Sequence, residues 1–429
     1  AWTCIPLALA RHRRSPYSGA MENPDTSLPR HVCVLGAGIV GLATAWELRR
    51  AGHTVTVVDR ATAGAGASGG NGAQLSYAYV QPLADPSIWR QLPKLLLSPD
   101  SPLQLRLRLD PHQWAWGLQF LAACRASVSE RTTVRLLALA GESRAGFDAW
   151  LQETGAQCDH SATGKLVLYA SDEGFAAARR QMALQQRLGS VQAALTPAEC
   201  AQVEPALAHY APRVAGGIHT PGECAADCLK VCQALHAQLQ AQGVRFVLGA
   251  DIERLVVQAG RVSAVQTSQG AIEADAFVVS LGTGSPALAR PLGVALPVYP
   301  LKGYSITVPA GSAAPSVSVT DAARKVVFAR VGERLRVAGM AELTGEDRSI
   351  QPARIASLLA TARDVFPQGG DYGDAQPWAG LRPATPKGEP VTGTPAGAPR
   401  NLVLNTGHGA LGFTLAFGSA RRVARMISG

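Results

Sequence analysis

The chain has 429 residues, long for one hydrophobic core and suited to two domains of ordinary size. Its 47% hydrophobic and 17% charged residues exclude a mainly disordered protein, and no apolar run approaches the roughly 20 residues of a membrane span. The net charge of +9 comes from scattered lysines and arginines without a basic run, which argues against a nucleic-acid partner and leaves a general attraction to anionic substrates or lipid surfaces.

Residues 1–29 are broken by proline, serine and arginine, and read as a disordered extension with Met21 as a candidate internal start. Arg11, Arg13 and Arg14 follow the short apolar stretch instead of preceding it, the wrong order for a signal peptide. The next segment, HVCVLGAGIVGLATAWELRRAGHTVTVVD (31–59), spells a βαβ unit. A buried strand over 32–35 runs into Gly36-Ala37-Gly38-Ile39-Val40-Gly41, then a helix that stops at Gly52, then a strand over 54–58 ending at Asp59. Gly36 permits the tight turn, Gly38 lets backbone approach a pyrophosphate, and Gly41 lets the helix press on the strand. An acid at Asp59 is placed to accept hydrogen bonds from a ribose. An adenine dinucleotide is the expected ligand.

After Asp59 comes a glycine-rich stretch, Arg60 to Gly72, long enough to lie flat against a ligand. Residues 82–121 mix apolar and basic groups around Trp89, Trp114, Trp116 and Phe120. Helices are expected over 132–153, 173–188 and 227–242, with strands over 165–169, 245–248, 254–258, 262–268 and 276–281. The last ends in Gly282-Thr283-Gly284, a second return to the crevice where parallel strands end. Residues 298–339 alternate at period two, as antiparallel strands do. The chain closes with a strand over 401–405, the turn Thr406-Gly407-His408-Gly409 and a helix over 413–426. Eight cysteines in this length make no disulfide framework; Cys224, Cys228 and Cys232, spaced to line one helix face, read as buried small hydrophobes in a reduced, cytosolic chain with no metal site.

Six segments carry a resemblance: VLGAGIVGLATAW (34–46), VEPAL (203–207), PVYPLKGYS (297–305), RVAGMAE (336–342), WAGLRPATPKG (378–388) and LNTGHGALGFTLAFGSA (404–420). Residues 30 onward resemble the small-subunit family of FAD-dependent D-amino-acid dehydrogenases, within the D-amino-acid oxidase and glycine oxidase superfamily. The resemblance implies an α/β fold: a discontinuous Rossmann-type FAD-binding domain (30–78, 190–212, 222–294, 384–429) and an α+β substrate domain with a mainly antiparallel sheet (79–189, 213–221, 295–383). It implies non-covalent FAD over Gly36 to Gly41 and Asp59, with Arg60, Ser68, Asn71, Gly72 and Gln74 along the diphosphate and flavin. Ile252 would lie beside the adenine and Gly282 at the crevice. Gly407, His408, Gly409, Gly412, Phe413 and Thr414 would aim a helix N-terminus at the flavin N1 and C2 carbonyl, where hydride transfer leaves negative charge.

In that superfamily an arginine matching Arg382 clamps the substrate carboxylate through two parallel N–H groups. A helping tyrosine of the oxidase relatives falls where this chain has Val326 and Val327, so Tyr304, Tyr77 and Tyr79 are the candidates for the second contact. Lys302 is a candidate near the flavin, and His408 a candidate for direct catalysis. The implied reaction is oxidative deamination of D-amino acids, with electrons passed to a quinone at the inner face of a membrane and the 89–120 stretch as a peripheral membrane contact. A glycine- or sarcosine-type amine oxidase, a D-proline or hydroxyproline dehydrogenase, and a non-catalytic flavin-binding subunit of an electron-transfer complex are the rival expectations.

Overall fold

A computed structural model describes residues 30–80, 82–86, 88–89, 103–106 and 108–429. The reading of 1–29 as a disordered extension lies outside the described residues. One six-stranded sheet runs in the order Val391–Gly393, Leu402–Thr406, Ala276–Val279, His31–Leu35, Thr54–Asp59, Arg245–Leu248. All neighbours are parallel except the edge strand Val391–Gly393. Strands buried on both faces are mainly apolar, and VCVL and, apart from Thr56, VTVV read so. Among the described residues three helices cover one side: Ile39–Arg50, Cys228–Ala241 and the C-terminal Gly412–Ser428. A three-stranded antiparallel sheet over Ile252–Gln258, Arg261–Thr267 and Gly270–Glu273 covers the other.

The second sheet has nine strands. Its order is Gln376–Ala384, Tyr299–Pro309, Arg334–Leu343, Val326–Val331, Ser318–Asp321, Lys165–Tyr169, Gly216–Thr220, Ala193–Leu195, with Leu103–Leu105 beside Arg334–Leu343. It is mainly antiparallel, as the period-two pattern requires, with two parallel pairings at Lys165–Tyr169 and Leu103–Leu105. One face buries Tyr304, Ile306, Val319, Val337, Leu166 and Leu168 under the helix Pro352–Val365. The opposite face looks towards the glycine-rich 60–72 loop.

Three expectations need correction. Residues 190–212, assigned to the cofactor domain, belong to the substrate sheet: Ala193–Leu195 is its edge strand, and Cys200, Leu207 and Tyr210 fill its core. The helix Ala126–Thr154, assigned to the substrate domain, packs on the cofactor domain through Leu136, Leu139, Ala140, Phe147 and Trp150. Its amphipathic pattern fixes which face is buried, not against which partner. Cys224 lies in the short strand Cys224–Ala225, so only Cys228 and Cys232 share the helix Cys228–Ala241; all three thiols are buried.

Helix Ala126–Thr154 meets the C-terminal helix closely because Gly146 and Gly418 leave no room for side chains: a Cβ on Gly418 would lie 2.5 Å from Leu139 O. Phe147 fills the remaining space, edge-on to Phe413 and Phe417 and tilted against Trp150. Replacing Phe147 with Ala removes that plug and is expected to cost about 3–5 kcal/mol, read as a lowered urea midpoint at unchanged slope.

Candidate active site

Three adjacent parallel strands end at one crevice, and each is followed by a glycine turn. After His31–Leu35 the turn at Gly36 has φ +113°, and a Cβ there would lie 2.5 Å from Ser280 O. A Cβ on Gly41 would strike Gly36 O, so the helix Ile39–Arg50 can approach only as glycine. Ala276–Val279 leads to Gly282 at φ +58°, and Leu402–Thr406 leads to Gly407 at φ +78°. The helix Ile39–Arg50 has no cap from its own N-terminal residue; Ser68 Oγ accepts from Ile39 N–H at 3.1 Å instead. Asp59 Oδ2 accepts from Ala37 N–H at 2.7 Å and Oδ1 from Ala61 N–H at 2.9 Å, tying the acid to the turn it was expected to flank. Val40 lies half-buried on the same helix, Arg60 is exposed, and Ile252 is half-buried at the start of the three-stranded sheet.

The glycine loop is clamped to the substrate sheet. Ser305 Oγ donates to Gly70 O at 2.7 Å, Arg336 Nη1 donates to Asn71 O at 2.9 Å, and Gly72 lies under Val327 and Ala338. A Cβ on Gly70 would strike the Trp378 ring. The chain then enters the strand Gln74–Leu75, paired with Cys224–Ala225, and Gln74 Nε2 is buried without a hydrogen-bond partner. Ser280 Oγ at the crevice is likewise buried and unpartnered.

Arg382 lies on the sheet face turned towards this loop. It pairs in register with Leu301, and its guanidinium lies over Gly303, where a Cβ would collide with it. Nη1 donates to Met340 O at 2.9 Å, and among the described residues no carboxylate pairs with it. Burial lowers its pKa to about 10, which still leaves it charged at neutral pH. The residues after it join both crevice turns: Pro383 borders Gly282, Thr385 borders Gly407, and Ala384 bridges His408.

Several expected site residues stand elsewhere. Tyr304 and Lys302 alternate with Leu301 and Gly303, so they point to the face opposite Arg382. Tyr304 OH donates to Glu342 at 3.0 Å inside the core, and Lys302 Nζ donates to Asp347 at 3.0 Å. Neither reaches a ligand held by Arg382. Tyr77 is buried with its hydroxyl unpartnered, and Tyr79 packs beneath Lys165 Nζ at 4.4 Å. His408 is buried, and burial pushes its pKa down to about 3, which favours the neutral imidazole. Because Ser419 Oγ donates to Ala416 O, His408 Nε2–H donates to Ser419 at 2.9 Å and fixes the turn.

Gly409 and Gly412 lead into the terminal helix. Phe413 turns into the core, and Thr414 Oγ1 accepts from Ser76 N–H at 3.1 Å, so the first turn offers the crevice backbone N–H groups. Thr320 escaped sequence reasoning: it neighbours Val327 on the Arg382 face, with a buried, unpartnered hydroxyl. Its signal is the alternation with core residue Val319.

The turns fit a dinucleotide: backbone packed too tightly for side chains, helix N–H groups at the strand ends, and unpartnered Ser280 and Gln74 atoms beside them. An oxidoreductase built on a parallel-sheet crevice and a roofing antiparallel sheet is the class that this geometry defines. Residues 31–426 match the FAD dependent oxidoreductase family, and the chain belongs to it; FAD is its cofactor. D-amino acid dehydrogenase 2 of Pseudomonas aeruginosa is 49% identical over 405 residues, covering 93% of this chain and 95% of that protein. D-amino acid dehydrogenase of Paramagnetospirillum magneticum is 46% identical over 403 residues, covering 93% and 95%. Among solved structures, glycine oxidase from Geobacillus kaustophilus has the same fold, with a TM-score of 0.73 at 22% identity over 93% of this chain and 94% of that one.

A Gly41→Ala variant places a methyl group against Gly36 O and displaces the turn that would hold the diphosphate. Its expected outcome is a folded protein with strongly reduced FAD content, measured as the ratio of flavin to protein absorbance after purification.

Proposed function

We propose that this protein oxidatively deaminates D-amino acids. The observation that carries the reading is Arg382: a desolvated guanidinium, braced by one carbonyl, with an unfilled demand for an anion. A substrate α-carboxylate satisfies it with two parallel hydrogen bonds, which fixes the orientation of Cα. Bound FAD supplies the hydride acceptor. The chain's part is to hold the carboxylate on Arg382, to keep the amine neutral so that its lone pair supports loss of the Cα hydride, and to wall off water with Trp378 and the 70–72 loop. The imino acid product then hydrolyses to a 2-oxo acid and ammonia. No side-chain base is needed, which agrees with a neutral, internally bonded His408. The relatives named D-amino acid dehydrogenase support the choice of substrate.

We also propose a quinone-type acceptor reached at an anionic membrane surface. Support comes from the helix Pro111–Ala123, whose outer side exposes Trp114 (49%) and Leu118 (68%), near exposed Leu109 and Trp89 (52%) and the exposed basic residues Arg106, Arg108 and Arg125. Its inner side stacks Trp116 on Phe120, and Trp116 Nε1 donates to Ala384 O at 2.8 Å, two residues from Arg382. Among the described residues no helix is long and apolar enough to cross a membrane; the proposed contact is a peripheral one. Residues 90–102 and 107 of the 89–120 stretch lie outside the described residues.

Replacing Arg382 with Ala is expected to lower kcat/KM for D-alanine by at least a thousandfold while full flavin absorbance remains, with Arg382→Lys recovering only part, since an ammonium cannot bind in two parallel bonds. Unchanged turnover would remove Arg382 from the clamp. Introducing charge with Trp114→Glu and Leu118→Glu together is expected to abolish sedimentation with anionic-lipid vesicles and to slow quinone reduction, with dye-coupled turnover preserved. Rapid peroxide formation without added acceptor would instead identify an oxidase.

A further inference from the structure

A second buried cation occupies the same face of the substrate sheet as Arg382, five strands away. Lys165 alternates with the core residues Leu166 and Leu168, so its side chain leaves the face that looks towards the cofactor domain. It is 4% exposed, and Nζ donates to Ser76 Oγ at 2.9 Å and sits over the Tyr79 ring at 4.4 Å. Ser76 is the residue whose N–H donates to Thr414 Oγ1 in the first turn of the terminal helix. A short polar chain, Lys165 to Ser76 to Thr414, therefore runs from a sheet-borne ammonium to that helix N-terminus.

Among the described residues no carboxylate forms an ion pair with the ammonium. Glu223 is the acid that acts on it through space, while its oxygens accept from Tyr77 N–H and Ala78 N–H at 2.6 Å each. Burial raises the Glu223 pKa, against the pull of Lys165 and Arg144, and lowers that of Lys165 to about 8. Tyr79 is hydrogen-bonded to Tyr169 and contributes only its ring face. A lysine kept in so costly a place needs a use, and the polar chain shows where its field is directed. Two electrons taken up by a flavin leave negative charge on N1 and the C2 carbonyl, and a cation close to that edge lowers the energy of the reduced form.

We propose that Lys165 is a positioning residue that tunes the flavin: it holds Ser76 and Thr414 in place and adds fixed positive charge beside the pyrimidine edge, favouring reduction. The proposal rests on the reading that the first turn of Gly412–Ser428 faces that edge. Neither the substrate clamp nor the acceptor surface uses Lys165, so the effect is separable from both.

The test is the midpoint potential of the FAD-loaded, full-length protein, measured by dye-equilibrated reduction. In Lys165→Met the oxidised-to-reduced equilibrium should shift tenfold towards the oxidised form, equivalent to about 30 mV for two electrons. Lys165→Arg should restore most of the shift, and Glu223→Gln should move the potential the opposite way, a pair of opposite signs that mere packing damage does not produce. A flavin-replete Lys165→Met protein with unchanged potential overturns the proposal; if that variant loses flavin, equal potentials in Lys165→Arg, Glu223→Gln and the parent overturn it instead. Thr414→Val separates the two readings. If it shifts the potential while Lys165→Met does not, the lysine has no tuning role and the helix placement stands; if neither shifts it, the placement itself fails.

Discussion

Backbone packed too closely to admit a side chain at the ends of three parallel strands is the constraint from which the remaining architecture follows. Gly36 against Ser280, Gly41 against Gly36, and Gly407 against Thr385 leave no space for a Cβ, so the turns are fixed by contact as much as by hydrogen bonds. That tight seam sets where the helix Ile39–Arg50 begins and where the terminal helix starts. Because Pro383, Ala384 and Thr385 press on the same seam, it also sets where the strand carrying Arg382 ends. A clamp two residues from a rigid junction keeps its distance from the crevice without a wide network of its own.

Charge on the roofing sheet follows from this arrangement. Among the described residues, its core-facing side pairs Lys302 with Asp347, and Arg354 and Tyr304 with Glu342. On the crevice-facing side Arg334 and Arg336 reach Asp227, whereas Arg382 and Lys165 form no ion pair among the described residues. Burying a cation costs free energy unless something compensates it, and unmet demand on one face of a sheet marks the face where ligands complete the structure.

Much of the plan was legible because it rests on local rules. The βαβ unit at 31–59 announces itself through an apolar run, three glycines at fixed spacing and a closing acid, and the strands of 298–339 through alternation. Arg382 stands out in the sequence by its motif, and among the described residues no carboxylate pairs with it. What the sequence hid was which face of an element meets which partner. Lys302 and Tyr304 share a motif with Gly303, yet pleating sends them away from the side where Gly303 makes room for the guanidinium, and a register irregularity against Arg334–Leu343 blurs the pattern further. The helix Ala126–Thr154 and residues 190–212 changed partners for the same reason, since burial pattern names no neighbour. Lys165 was invisible for a different one: in KLVLY it reads as the polar first residue of an ordinary strand.

The six-stranded sheet has a consequence for how the protein is made. Its central strand, Ala276–Val279, lies between one neighbour from the first strand of the described chain and another, Leu402–Thr406, from close to its last. During synthesis the opening βαβ unit emerges early, yet its sheet stays incomplete and its helix Ile39–Arg50 lacks the terminal helix that covers it. Flavin capture must therefore wait until Leu402–Thr406 and the helix after it have been made, and until then the nascent chain carries an open apolar edge that invites chaperones.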